Sequence, residues 1–154
     1  MGHQIYLASS WRNQYQPQLV RLLRSHGHEV YDFRHPAPGN EGFHWSEIDP
    51  HWQTWTVSQY RDALQNPIAR AGYQHDYQAL AAASVVVLLL PSGRSAHTEA
   101  AWFRGRGGPV IVHSPEPGEP ELMYKLFSAI TAGENELLEL LDLDRDKLQE
   151  LRLD

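Results

Sequence analysis

Val85-Val86-Val87-Leu88-Leu89-Leu90 is apolar at every position, with no polar residue at alternate places. A strand of that kind is covered on both faces, as in a parallel sheet with helices on each side. The run stops at Pro91-Ser92-Gly93, and the following residues predict a helix from Ser95 to about Arg106, ended by Gly107-Gly108. Ile5-Tyr6-Leu7-Ala8 reads as a first strand closing in the polar Ser9-Ser10-Trp11-Arg12-Asn13. Leu19, Val20, Leu22 and Leu23 then give a helical stripe that stops near Gly27. Glu29 to Phe33 is a second strand, Pro109 to His113 a fourth, and Phe127 to Thr131 a short fifth. Val57 to Leu64 and Tyr73 to Ala83 read as helices parted by the Asn66-Pro67 break, and Glu134 to Leu151 as a leucine-rich helical tail. Strands alternating with helices predict βαβ units: an α/β three-layer sandwich on a mostly parallel sheet of about five strands.

The stretch from Arg34 to Thr56 breaks this rhythm, being rich in Pro, Gly, His and Trp without a sustained period. Long irregular segments inside compact domains are functional or disordered. Five aromatics between Phe43 and Tyr60 favour order. No repeat or linker divides the chain, so its 154 residues are expected to form one domain.

Charge and composition narrow the chemistry. A formal charge of -6 lacks the basic face that a nucleic-acid polymer requires. The absence of cysteine rules out disulfides and thiolate catalysis. The longest apolar run is too short to span a bilayer, and the chain enters its first strand at once, so no membrane contact and a cytoplasmic location are expected.

Glu99 is the first candidate for chemistry. It is placed in the first turn of the helix after the central strand, where free amides and the helix dipole favour a carboxylate, and where ligands of open α/β sheets bind. Asp76 stands twenty-three residues earlier, in the helix leading into the same strand. Asp is mildly unfavourable in mid-helix, and two carboxylates serve glycosidic cleavage as nucleophile and acid. Ser92, Gly93, Arg94 and Ser95 form a compact anion cradle, with small residues that admit an oxyanion and an Arg that can fork onto phosphate. Ser9, at the close of the first strand, joins them as a substrate-binding candidate. Tyr6 can hydrogen-bond a neighbouring carboxylate, although a strand Tyr is commonly core. Trp45 or Trp52 can stack on a planar base, against the plainer reading that the loop packs on the body. His44 and His51 match no ligand spacing, so no metal is expected.

Several of these segments, in order, resemble the nucleoside 2-deoxyribosyltransferase superfamily, which includes nucleotide N-glycosidases. Ile5-Tyr6-Leu7-Ala8 is similar to its opening strand motif. Asp76, Ala79-Leu80 and Ala83-Ser84-Val85-Val86-Val87 are similar to its "D…AL…AD-hydrophobic" segment. Glu99-Ala100-Ala101-Trp102 resembles the helix bearing a nucleophilic Glu, and Gly108-Pro109-Val110-Ile111 a later strand. The resemblance spans about Ile5 to Val112. It implies a Rossmann-like fold, a homodimer or higher homo-oligomer with sites completed by a neighbouring subunit, a nucleoside or nucleotide as small-molecule partner, and no cofactor. By that analogy Glu99 attacks C1′ of the sugar, Asp76 assists the departing base, Tyr6 holds Glu99, and the sugar passes to another base or to water. Two features depart from the pattern: Ala100 follows Glu99 where a Leu or Ile-Gly pair is frequent, and the Trp/His loop has no counterpart. The cradle is also richer in anion-binding groups than a nucleoside alone needs, which points to a 5′-monophosphate and hydrolysis. Pro91-x-Gly93 with Glu99 eight residues beyond Pro91 also resembles the lysine decarboxylase-like phosphoribohydrolase motif. A non-catalytic nucleotide sensor and an NAD-cleaving domain are the competing expectations.

Overall fold

The computed structural model describes residues 2–153, which fall into two compact units: residues 2–31 with 80–153, and Asp32–Ala79. The first unit is built on five parallel strands, β1 (Gln4–Ala8), β2 (Glu29–Tyr31), β3 (Val85–Leu89), β4 (Val110–His113) and β5 (Ala129–Thr131), in the order β2-β1-β3-β4-β5. β3 is central and buried at all five positions, as its unbroken apolar run requires. Its register pairs Ile5 with Val85 and Leu7 with Val87 on one face, and Tyr6 with Val86 and Ala8 with Leu88 on the other.

Helices cover both faces because both are apolar. On the first, Ile5, Leu7, Val85, Val87, Leu89 and Ile111 cluster with Leu19, Val20 and Leu23 of α1 (Gln16–Ser25) and with the leucines of the tail. Each fully buried leucine stabilises this layer by roughly 1.5–3 kcal/mol. α1 ends where Gly27 takes φ 87°, a conformation that glycine adopts without strain. The second face is covered by the helix after β3, Arg94–Gly105, which touches β1, β3 and β4 and buries Ala96, Ala100 and Phe103. Its return to β4 runs under the Phe103 ring. A Cβ on Gly108 would lie 2.2 Å from that ring, so only glycine fits.

The second unit holds α2 (Val57–Ala63) and most of α3 (Pro67–Ala82); the helix Arg94–Gly105 is therefore α4. The Asn66-Pro67 pair begins a helix rather than breaking one. Asn66 Oδ1 accepts from the Ile68 amide at 2.9 Å, and Pro67 takes the first helical position, where its missing N–H costs nothing. The Trp/His stretch forms two short 3-10 turns, Trp45–Glu47 and Trp52–Thr54. Trp45 is its hub, meeting Phe43, Trp55 and Tyr60 edge to face at 4.8, 5.8 and 5.9 Å. Rings packed this way order the segment without a sheet or long helix.

The tail expected as one helix over Glu134–Leu151 is two, α5 (Glu134–Leu141) and α6 (Arg145–Glu150). Asp144 ends the continuity by accepting from the Lys147 amide at 2.9 Å, which starts a new helix. No helix of the described residues is long and apolar enough to cross a membrane.

Candidate active site

The strand order places a topological switch between β1 and β3, whose loops leave the carboxyl edge of the sheet for helices on opposite faces. Such crevices are where open α/β sheets hold ligands. Tyr6 lies in the middle of β1, third of its five residues, and is 1% exposed. Its ring stacks on Tyr31 of β2 at 5.3 Å and 17°, and its hydroxyl donates to Glu99 Oε2. The sheet face and α4 thus bring together two residues 93 positions apart.

Glu99 is the sixth residue of α4, in its second turn. The expectation of a first-turn carboxylate is therefore corrected: α4 starts at Arg94, one residue earlier than predicted, and its first turn holds no acidic residue. Free amides and the dipole no longer account for this carboxyl. Burial does the opposite and pushes its pKa up to about 8, while the Tyr6 hydroxyl pulls toward the anion. The group is therefore poised to exchange a proton near neutral pH, in a setting where a carboxylate is basic and poorly hydrated.

The loop into α4 is shaped by neighbours the sequence did not single out. Asn13, 2% exposed, accepts through Oδ1 from the Tyr15 amide at 2.8 Å and the Gln16 amide at 3.1 Å. Its Nδ2 donates to the Pro91 carbonyl at 3.0 Å. Ser9 Oγ donates to the Leu89 carbonyl at 3.1 Å, tying the ends of β1 and β3. Ser92 Oγ is buried with no hydrogen-bond partner among the described residues. Gly93, at the N-cap, supplies no side-chain cap, and Gly93, Arg94 and Ser95 are exposed. The first residues of α4 are thus exposed and include an Arg, a composition suited to an anion. His97 braces this turn: Nδ1 meets the Gly93 carbonyl at 2.8 Å and Nε2 the Tyr124 hydroxyl at 2.7 Å.

Asp76 is the tenth of sixteen residues in α3, half-buried in the second unit. Trp45 is engaged by three rings of its own unit, and Trp52 is 39% exposed. That unit carries a shallow concavity of about 580 Å³ between Ile48, Trp55 and Asn66, whose lining includes none of the residues singled out from the sequence. Among the described residues no group of three or more His, Cys, Asp or Glu could hold a metal ion.

No protein-family profile matches the chain, and no curated protein sequence matches it. Solved structures do. The 2-deoxyribosyltransferase of the psychrotolerant bacterium Bacillus psychrosaccharolyticus superposes with a TM-score of 0.61 at 17% identity, covering 97% of this chain and 98% of that one. The Clostridium botulinum CMP N-glycosidase BcmB gives 0.48 at 18% identity, over 90% and 98%. The expected resemblance to the nucleoside 2-deoxyribosyltransferase superfamily therefore holds at the level of fold: a five-stranded, all-parallel Rossmann-like sheet flanked by helices.

Proposed function

We propose that this protein cleaves the N-glycosidic bond of a nucleoside 5′-monophosphate, with Glu99 as nucleophile and water or a second base as acceptor. The observation that carries the reading is the pairing of buried Tyr6 with half-buried Glu99 beside the β1/β3 switch. The fold shared with a 2-deoxyribosyltransferase supports it.

In the proposed reaction, the ionised Glu99 carboxylate attacks C1′ and the C1′–N bond breaks, its electron pair leaving with the base. Asp76 supplies the proton that neutralises the departing base. A glycosyl ester on Glu99 results, and attack by water or another base at C1′ releases the carboxylate. Binding of an electron-poor sugar carbon favours the anion that burial disfavours. Tyr6 keeps one carboxylate oxygen hydrogen-bonded, leaving the other to attack. The Arg94 guanidinium, the Ser92 hydroxyl and the opening amides of α4 serve the 5′-phosphate. For stacking on a base, Trp52, 39% exposed, offers more free ring surface than Trp45, which packs against three rings of its own segment.

Chromatography for free base released from ribo- and deoxyribonucleosides, their 5′-monophosphates and NAD tests the reading. Release from a 5′-monophosphate by the wild type, and none by Glu99→Ala, is expected. Release from NAD alone would assign the same Glu to NAD cleavage. No release from any substrate, even with a second base added as acceptor, would leave a nucleotide-binding sensor as the better description.

A further inference from the structure

Asn13 is a buried amide that makes three hydrogen bonds to the main chain. Its Oδ1 faces two N–H groups and its Nδ2 faces a carbonyl, so the opposite amide orientation would set donors against donors. Two of these bonds turn the chain into α1. The third crosses to the loop after β3, 78 residues away, and serves no purpose in forming α1. It joins the two loops that flank the topological switch.

The consequence lies in the next peptide. The Pro91–Ser92 peptide is trans, with its carbonyl and its N–H pointing to opposite sides. Holding the Pro91 carbonyl on Asn13 therefore turns the Ser92 N–H away from Asn13. It also settles the path of the chain into Gly93, a residue with open space around its Cα and no cap of its own. Without that tether His97 still holds the Gly93 carbonyl, but the Pro91–Ser92 peptide before it is free to turn.

We infer that Asn13 is the positioning residue of the ligand loop: its carboxamide, bridging the loops after β1 and β3, sets the aim of the Ser92–Ser95 groups at the substrate. The inference rests on the proposed role of that loop in binding. Asn13 touches no reacting atom, so its loss acts on binding and spares the chemical step.

Two variants separate the bridge from the α1 entrance. Asn13→Ser keeps a neutral acceptor for the Tyr15 or Gln16 amide but is too short to reach Pro91. Asn13→Asp keeps both acceptor roles and presents an oxygen to the Pro91 carbonyl. Both are compared with wild type by base release, by thermal unfolding and by hydrogen exchange at the Ser92 and Gly93 amides. Loss of one buried hydrogen bond predicts a KM for the 5′-monophosphate raised about threefold to tenfold. The same variants are expected to keep kcat within about twofold and to exchange Ser92 and Gly93 amides faster than wild type. An unchanged KM in an active, folded Asn13→Ser protein overturns the inference and leaves the glycosidic reading intact. If the wild type releases no base, the glycosidic reading fails on its own. The amide exchange then decides for Asn13, with equal rates in wild type and Asn13→Ser overturning the inference. Titration with inorganic phosphate, followed at the Gly93, Arg94 and Ser95 amides, adds a binding readout that needs no turnover.

Discussion

Replacing Glu99 by Gln tests how far the fold resists a charge at this place. Gln is close to the shape of the protonated carboxyl and cannot ionise. Raising a carboxyl from 4.5 to about 8 makes its ionisation cost more in the folded protein than in the unfolded chain. At about 1.4 kcal/mol for each tenfold change in proton affinity, the full difference is about 5 kcal/mol. Some solvent contact remains at Glu99, so a range of about 2–5 kcal/mol is expected. The sign follows from proton counts: between pH 4.5 and 8 the folded protein holds a proton that the unfolded chain has lost, so wild-type stability falls as pH rises through that window. Below it the variant and wild type should be nearly equal; above it the gap should be at its largest, with Glu99→Gln the more stable. Urea unfolding of both proteins at intervals from about pH 5 to 9 measures this directly. All other titrating groups are common to both chains and cancel in the difference. A gap that stays constant across the range would mean that the carboxyl ionises as freely in the folded protein as in the unfolded chain, and would refute any effect of burial on Glu99.

Other expectations follow from the same geometry. If ionised Glu99 is the nucleophile, kcat/KM rises with pH, reaches half its plateau near pH 8 and levels off above it, and Tyr6→Phe, which removes the donor to the anion, moves that limb to higher pH; a limb unmoved in an active Tyr6→Phe protein contradicts the hydrogen bond's role. Gly108→Ala forces a methyl group onto the Phe103 ring and should cost about 1–3 kcal/mol in unfolding free energy, whereas Gly108→Ala in a Phe103→Leu background should cost less. His113, buried with Nδ1 2.8 Å from Thr131 Oγ1, has its pKa lowered chiefly by burial. The folded state then holds the neutral ring while the unfolded chain takes a proton below pH 6.5, so stability is lost as pH falls through 6.5, and His113→Gln should flatten that acid limb in thermal unfolding.

Much of the frame could be read from the chain because burial leaves a one-dimensional trace. Val85 to Leu89 could hardly be anything but a strand covered on both faces, and the helices on either side of it followed from Leu19 to Leu23 and from the glycines at 27 and 107. Glu99 stood out for the same reason, by its distance from that strand. Its position within α4 did not, because Gly93 caps the helix without a side chain and leaves no Ser, Thr or Asp to mark the start. Pro67 misled by its habit of breaking helices, since the chain shows nothing to separate a break from a first residue except Asn66 before it. The Tyr6 partnership came through the family resemblance; no spacing rule links positions 93 apart. Asn13 was silent because its partner across the switch is a main-chain carbonyl, which every residue carries. Trp45 was visible as an aromatic, but whether a ring packs on a base or on other rings depends on folds of the chain that periodicity does not describe.

The two outer strands of the sheet, β2 and β5, are each three residues long. An open sheet edge offers rows of unpaired amides and carbonyls to any passing strand, and a short edge offers few of them. Ile130 adds an apolar side chain to the β5 edge, 46% exposed, yet only three residues of backbone accompany it. Copies of this chain crowded together in a cell or a concentrated sample thus have little purchase for joining sheet to sheet. The fold keeps its ladder of hydrogen bonds to itself, and fibrous assembly through the sheet is disfavoured even while both edges stay open.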